Sequence, residues 1–154
     1  MTYRLLSTVV WQEWQVHVTS TSAEMGGPAL LSCVAPASVR EHATVAAWYK
    51  DDNVVSAGDQ MSGPTMVVDE GWKLIVRAVR SDDSRAQYSC SVLDSLTGER
   101  RRSSPVAVEV SPMSMPQPSA PRALLHGVWE TNSRRGADVL LPCLVHANPP
   151  ATIT

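Results

Sequence analysis

A chain of 154 residues with 44% hydrophobic and 18% charged residues can bury one full core and part of a second. A net charge of −2 gives no electrostatic reason to expect nucleic acid or an acidic membrane surface as partner. No apolar run approaches the roughly 18 residues that span a bilayer, and the three separated cysteines exclude a zinc ribbon or a Cys-x-x-Cys redox pair.

The opening stretch MTYRLLSTVVWQEW has one arginine, a short apolar run and no small-residue cleavage site of the secretory kind. Residues 1–8 are read as the end of a preceding domain or a linker. Trp11 and Trp14, three apart in an extended strand, face opposite ways; one is expected under the last strand or against a preceding domain. GPALLSCVA then alternates with period two and puts Ala29, Leu31 and Cys33 on one face. TVAAWYK places Ala46 and Trp48 together, with Val45 and Tyr49 opposite. KLIVRAV turns Leu74 and Val76 inward, with Val79 beyond. AQYSCSV sets Tyr88, Cys90 and Val92 against Gln87, Ser89 and Ser91, and PVAVEV aligns Val106, Val108 and Val110. The connecting segments VAPASVREH, KDDN, SAGDQMSGP, DEG, SDDS and SLTGER are rich in turn formers. Short alternating strands with a turn every eight to twelve residues predict an all-β sandwich or barrel.

After Val110 the composition changes. SPMSMPQPSAP holds four prolines in eleven residues, an extended connector over 111–121. GADVLLPC then repeats GGPALLSC, so Val139, Leu141 and Cys143 are expected on one strand face like Ala29, Leu31 and Cys33. Residues 122–154 are therefore the N-terminal part of a second copy. The copy stops at Thr154, so the chain is expected to be a piece of a longer array. Cys143 is expected to be unpaired, and Val139, Leu141 and Val145 to lack an opposing sheet.

In an immunoglobulin-type sandwich a cysteine on strand B bridges one on strand F, and a tryptophan on strand C packs against the bridge. Cys33, Trp48 and Cys90 stand in that order, 15 and 42 residues apart. Tyr88, two before Cys90, occupies the tyrosine-corner position, its hydroxyl expected to reach the backbone of the E–F turn. Asp83 lies in that turn, where it is expected to accept backbone N–H groups and pair with Arg40 or Arg77. Thr97-Gly98 forms the F–G hairpin turn. The reading is an I-set-type antiparallel sandwich over 9–110 with a Cys33–Cys90 disulfide and a core around Trp48, Tyr88 and Leu74. A nucleophilic cysteine is a poorer account, because both cysteines fall on inward faces where a thiolate is inert.

The stretch SDDSRAQYSCSVLDSLTGE resembles immunoglobulin domains of the Down syndrome cell adhesion molecule (Dscam) family near the N-terminus. Asp83, Tyr88 and Cys90 match that family's longer turn spacing. Leu96-Thr97-Gly98-Glu99 match its hairpin, and Pro36, Ser38 and Val39 ahead of Trp48 match its B–C segment. Trp72, one place after Gly71, and SAGDQMSGPTMVV depart from the pattern and leave open which domain of a receptor this is. The resemblance implies an extracellular module of a cell-surface receptor that pairs with the same or a closely related protein, beside neighbouring immunoglobulin domains of its own chain. Such pairing guides neurite self-avoidance in the family, and soluble arthropod forms are implicated in immunity. It also implies a homophilic edge on strand A′, over Thr19, Ser20, Thr21, Ser22, Ala23 and Glu24. A soluble immune-recognition protein that binds microbial surfaces, or a structural spacer, are the alternatives.

No metal site or cofactor is expected: Cys143 and His146 form one Cys-x-x-His pair without a second to complete a tetrahedron. His17, His42, His126 and His146 lie in no nucleophile motif, and no phosphate loop exists, so neither an enzyme nor a small-molecule substrate is expected. Asn53, Asn132 and Asn148 lack a sequon. The run Glu99–Arg102 is either a polyanion site or a solvated hairpin flank.

Overall fold

The computed structural model describes residues 13–55, 63–111, 119–124, 133–137, 139, 141, 143–149, 151, 152 and 154. The expectations for 1–12 (Trp11 included), 56–62 and residues 112–118 of the connector lie outside them, while the connector's ends, Ser111 and 119–121, are paired strand rather than linker. Twelve strands are described: β1 (His17–Ser20), β2 (Ala23–Glu24), β3 (Ala29–Val34), β4 (Ala43–Lys50), β5 (Asn53–Val54), β6 (Thr65–Val68), β7 (Lys73–Val76), β8 (Tyr88–Asp94), β9 (Arg100–Arg102), β10 (Val110–Ser111), β11 (Ser119–Ala123) and β12 (Val145–Asn148). One sheet runs β1-β3-β7-β6 and another β5-β4-β8-β9, all antiparallel, and β2 pairs in parallel with β10. The chain thus leaves the first sheet after Ser20 and at Ala23 joins β10, the end of a segment that bridges to Tyr88 of the second sheet at Val106. This is an immunoglobulin-like sandwich with a split first strand. VAPASVREH, read as a turn, holds one short helix, Ala37–Arg40.

Alternation decides what is inside. Ala29, Leu31 and Cys33 on β3, Leu74 and Val76 on β7, and Tyr88, Cys90 and Val92 on β8 share the core with Trp48, Trp72 and Val108. The Cys33 and Cys90 sulfurs are bonded, and Trp48 lies opposite Cys90 in register. Trp48 Nε1 donates to the Gly71 carbonyl at 2.7 Å, which satisfies the indole's one polar group in the core. Gly71 has φ +96°, and a Cβ there would stand 3.1 Å from Val45 Cβ, so glycine is required on both counts. Asp69 and Glu70 before it also take positive φ. Trp72, which breaks the family pattern, is buried, with the Arg40 guanidinium 4.7 Å above its ring.

The alternate residues of the first sheet form a second cluster on its outer face: Leu30, Met66 and Ile75, with Ile75 fully buried. Leu144, just before β12, packs on this cluster. β12 pairs antiparallel with β11, and the Leu124 N–H bonds to the Leu144 carbonyl at 2.9 Å. The strand expected over Val139–Cys143 is not there: among the described residues the strand begins at Val145, and Val139 and Leu141 are exposed. The apolar contact of this segment with the first sheet is made by Leu144, not by Val139 or Leu141. Cys143 is a free, exposed thiol.

Candidate functional site

Tyr88 ends a network that fixes the lower end of β8. Its hydroxyl donates to Asp83 Oδ1 at 2.9 Å rather than to turn backbone, which corrects the expectation. Lys50 Nζ donates to the same oxygen at 2.7 Å, and the Arg80 N–H to Oδ2 at 2.8 Å. Asp83 therefore pairs with neither Arg40, which lies 3.7 Å from Asp69, nor Arg77, whose Nη2 sits 3.7 Å from Met66 Sδ. Lys50 faces Tyr88 across β4 and β8. Burial alone would raise the Asp83 pKa; the donors from Lys50, Arg80 and Tyr88 outweigh it and hold the carboxyl below its usual range. Burial and the bond to Asp83 push the Tyr88 phenol up to about 12. The network is structural: it pins the turn below β8, with Tyr88 and Asp83 buried and Lys50 half-exposed at its rim.

At the other end of β8, Asp94 Oδ1 accepts the Leu96 N–H at 2.8 Å and the Thr97 N–H at 3.4 Å. Burial pushes its pKa up, but those amides prevail and hold it low. Gly98, at φ +72°, closes the hairpin and leaves Leu96 exposed at the tip.

The segment from Thr19 to Glu24 is not one strand. Thr19 and Ser20 belong to β1 and pair with Ser32 and Leu31, while Ala23 and Glu24 form β2 and pair with Val110 and Ser111. Thr21 makes the crossing, its Oγ1 accepting the Leu30 N–H at 3.0 Å. Ala23 is buried, so it offers no side chain to a partner. Thr19 and Ser22 are exposed. Glu24 stands 3.7 Å from His146 Nε2, a partner from the second segment that no local pattern announces. Among the described strands, β1 is an edge of its four-stranded sheet, and β2 has β10 as its one neighbour.

The Glu99–Arg102 run does not act as one patch. Arg101 pairs with Glu99 at 2.8 Å, lies 5.0 Å over the Trp14 ring and donates to the Trp14 carbonyl. Trp14 is buried beneath it. Arg102, on the opposite face, lies 4.0 Å over the Tyr49 ring and bonds Asp52 at 2.6 Å. The three arginines are divided between two faces, which removes the density a polyanion needs.

No protein-family profile matches the chain. The cell adhesion molecule DSCAM of Gallus gallus is 31% identical over 144 residues, covering 94% of this chain and 7% of that protein. The Homo sapiens DSCAM is 29% identical over the same shares, and the Gallus gallus DSCAML1 26%. The chain thus spans about 7% of the length of these relatives. Among solved structures, the N-terminal four Ig domains of Dscam1 isoform 4.44 superpose with TM-score 0.72 at 25% identity, covering 92% of this chain and 38% of that one. Isoform 7.44 gives 0.70 at 27%, covering 92% and 36%. A structure described as the structural basis for Dscam isoform specificity gives 0.72 at 25%, again covering 92% and 36%. Sandwich, bridge, hairpin and similarity agree: over nearly its whole length the chain is similar to immunoglobulin domains of the Dscam cell adhesion molecules.

Proposed function

We propose that residues 9–110 form a self-recognition module of a cell-surface adhesion receptor, exposed on the extracellular side, followed by a connector (111–121) and the start of a second such module (122–154). One observation carries this reading: the segment Thr19–Glu24 runs from β1, the edge strand of a four-stranded sheet, to β2, which pairs with β10 alone. An edge strand keeps backbone donors and acceptors that a second copy, antiparallel across a two-fold axis, is able to pair. The exposed Thr19 and Ser22 would set specificity there. The spacer reading is favoured by a different observation, the engagement of Glu24 by His146 of the same chain.

Beads carrying the receptor's full N-terminal array test the proposal. Ser22→Arg places a like charge in both copies at once across the axis, and its exposed position leaves the fold unchanged within about 0.5 kcal/mol. Self-aggregation should fall while the melting temperature holds. Unchanged aggregation would remove this edge from the interface, and no aggregation by the unsubstituted array would favour the spacer.

A further inference from the structure

We propose that the outer face of the β4–β8–β9 sheet holds a second binding site, in which Arg102 receives the carboxylate of an acidic sugar. The site begins with strand alternation. Arg102 lies opposite Ser91, and Tyr49 opposite Ser89, so guanidinium and ring reach over a strand of small side chains. The guanidinium stacks at 4.0 Å on the Tyr49 ring, and its Nε donates to Ser89 Oγ at 2.9 Å. Its rotamer freedom is thus surrendered on folding, before any ligand arrives.

A bulge supplies the space. Ser103 bonds to Cys90, and Val106 exchanges two bonds of 2.8 Å with Tyr88. Ser104 and Pro105 are left opposite the single residue Ser89, and the strand bends away. The cavity beside it, about 350 Å³, is lined by Asp52, Gln87, Ser89, Arg102, Ser103 and Pro105. That is room for one small ligand.

The lining names its chemistry. Nη1 of Arg102 and the second hydrogen of Nη2 have no partner among the described residues, which leaves a planar fork for a carboxylate. A carboxylate is already accommodated at one point: Asp52, on the turn between β4 and β5, takes Nη2 through a single oxygen at 2.6 Å. Its side chain is 86% exposed, so an incoming acid displaces it at little cost. Released, the Asp52 carboxylate accepts hydroxyls, as the exposed Gln87 is placed to do. The one aromatic ring is already covered by the guanidinium, so the cavity suits a polyol acid rather than an apolar ligand.

Nuclear magnetic resonance of the 154-residue chain, observing the Arg102 Nε–H signal, tests this. The probes are glucuronate and N-acetylneuraminate, with glutarate and methyl glucoside as controls. At least one sugar acid should shift the signal saturably with a millimolar Kd; glutarate should bind more weakly, and methyl glucoside should leave the signal in place. Asp52→Asn removes the internal competitor and should tighten binding by about two- to fivefold, whereas Arg102→Lys should abolish it. The proposal is overturned by absence of a saturable shift with both sugar acids, by weaker binding in Asp52→Asn, or by unchanged binding in Arg102→Lys. Equal affinity for glutarate would overturn its sugar component.

Discussion

Replacing Asp83 with alanine removes the acceptor for three donors at once. The Tyr88 hydroxyl, in a residue with no exposed surface, loses its partner and cannot reach water, which costs about 1–3 kcal/mol. The Arg80 N–H loses its cap, at about 1 kcal/mol. Lys50, whose side chain is 40% exposed, turns to solvent and adds no more than about 1 kcal/mol. The sum is a destabilisation of about 2–5 kcal/mol at neutral pH. Asp83→Asn keeps an acceptor for the phenol and should cost less. The effect has a required sign with pH. The folded carboxyl titrates below its unfolded value of about 3.9, so its contribution is complete above about pH 5 and is lost as pH falls through the folded pKa. Urea unfolding of wild type and Asp83→Ala at pH 7 and pH 3 reads both. A difference under about 0.5 kcal/mol at pH 7, or one that grows with acid, would refute the reasoning.

Gly71→Ala meets a positive φ and a 3.1 Å approach to Val45 together, so it should destabilise by about 1–3 kcal/mol and lower the Tm visibly in a thermal melt; an unchanged Tm would count against that geometry. Alkylation of the denatured, unreduced chain should modify only Cys143, and replacing Cys33 and Cys90 with alanine should cost about 4 kcal/mol in chemical unfolding. Three modified cysteines would overturn the pairing.

The sandwich was legible where period two operates. Leu31, Cys33, Leu74, Cys90 and Val92 each sit on the face that alternation assigns, because a strand offers only two. Alternation names a face, not a neighbour. Arg40 and Arg77 looked equally able to meet Asp83, and Lys50 became visible only through the register that sets it opposite Tyr88. The polar run TSTSAE carries no apolar rhythm, so nothing in it marks where the chain changes sheets, and small Ala23 gives no sign that it is buried. The two faces of Glu99–Arg102 were implicit in alternation, yet the run resembled one patch by composition alone. The contacts of Glu24 with His146 and of Leu144 with the cluster of Leu30, Met66 and Ile75 join positions far apart in the chain. No local pattern encodes them.

The parallel pairing of β2 with β10 has a mechanical meaning. In a molecule strung between two surfaces, tension enters near one end of this domain and leaves near the other. Parallel neighbours receive such a load along their length, so the bonds from Ala23 N–H to the Glu109 carbonyl and from Met25 N–H to the Ser111 carbonyl are sheared together rather than unzipped in turn. Lys50, Tyr88 and Asp83 knit the neighbouring turn through side chains and are not part of that backbone seam. The domain's resistance to pulling is therefore concentrated in the short seam between its first and last strands, and a proline at Ala23 or Met25 would weaken it under tension far more than it would at rest.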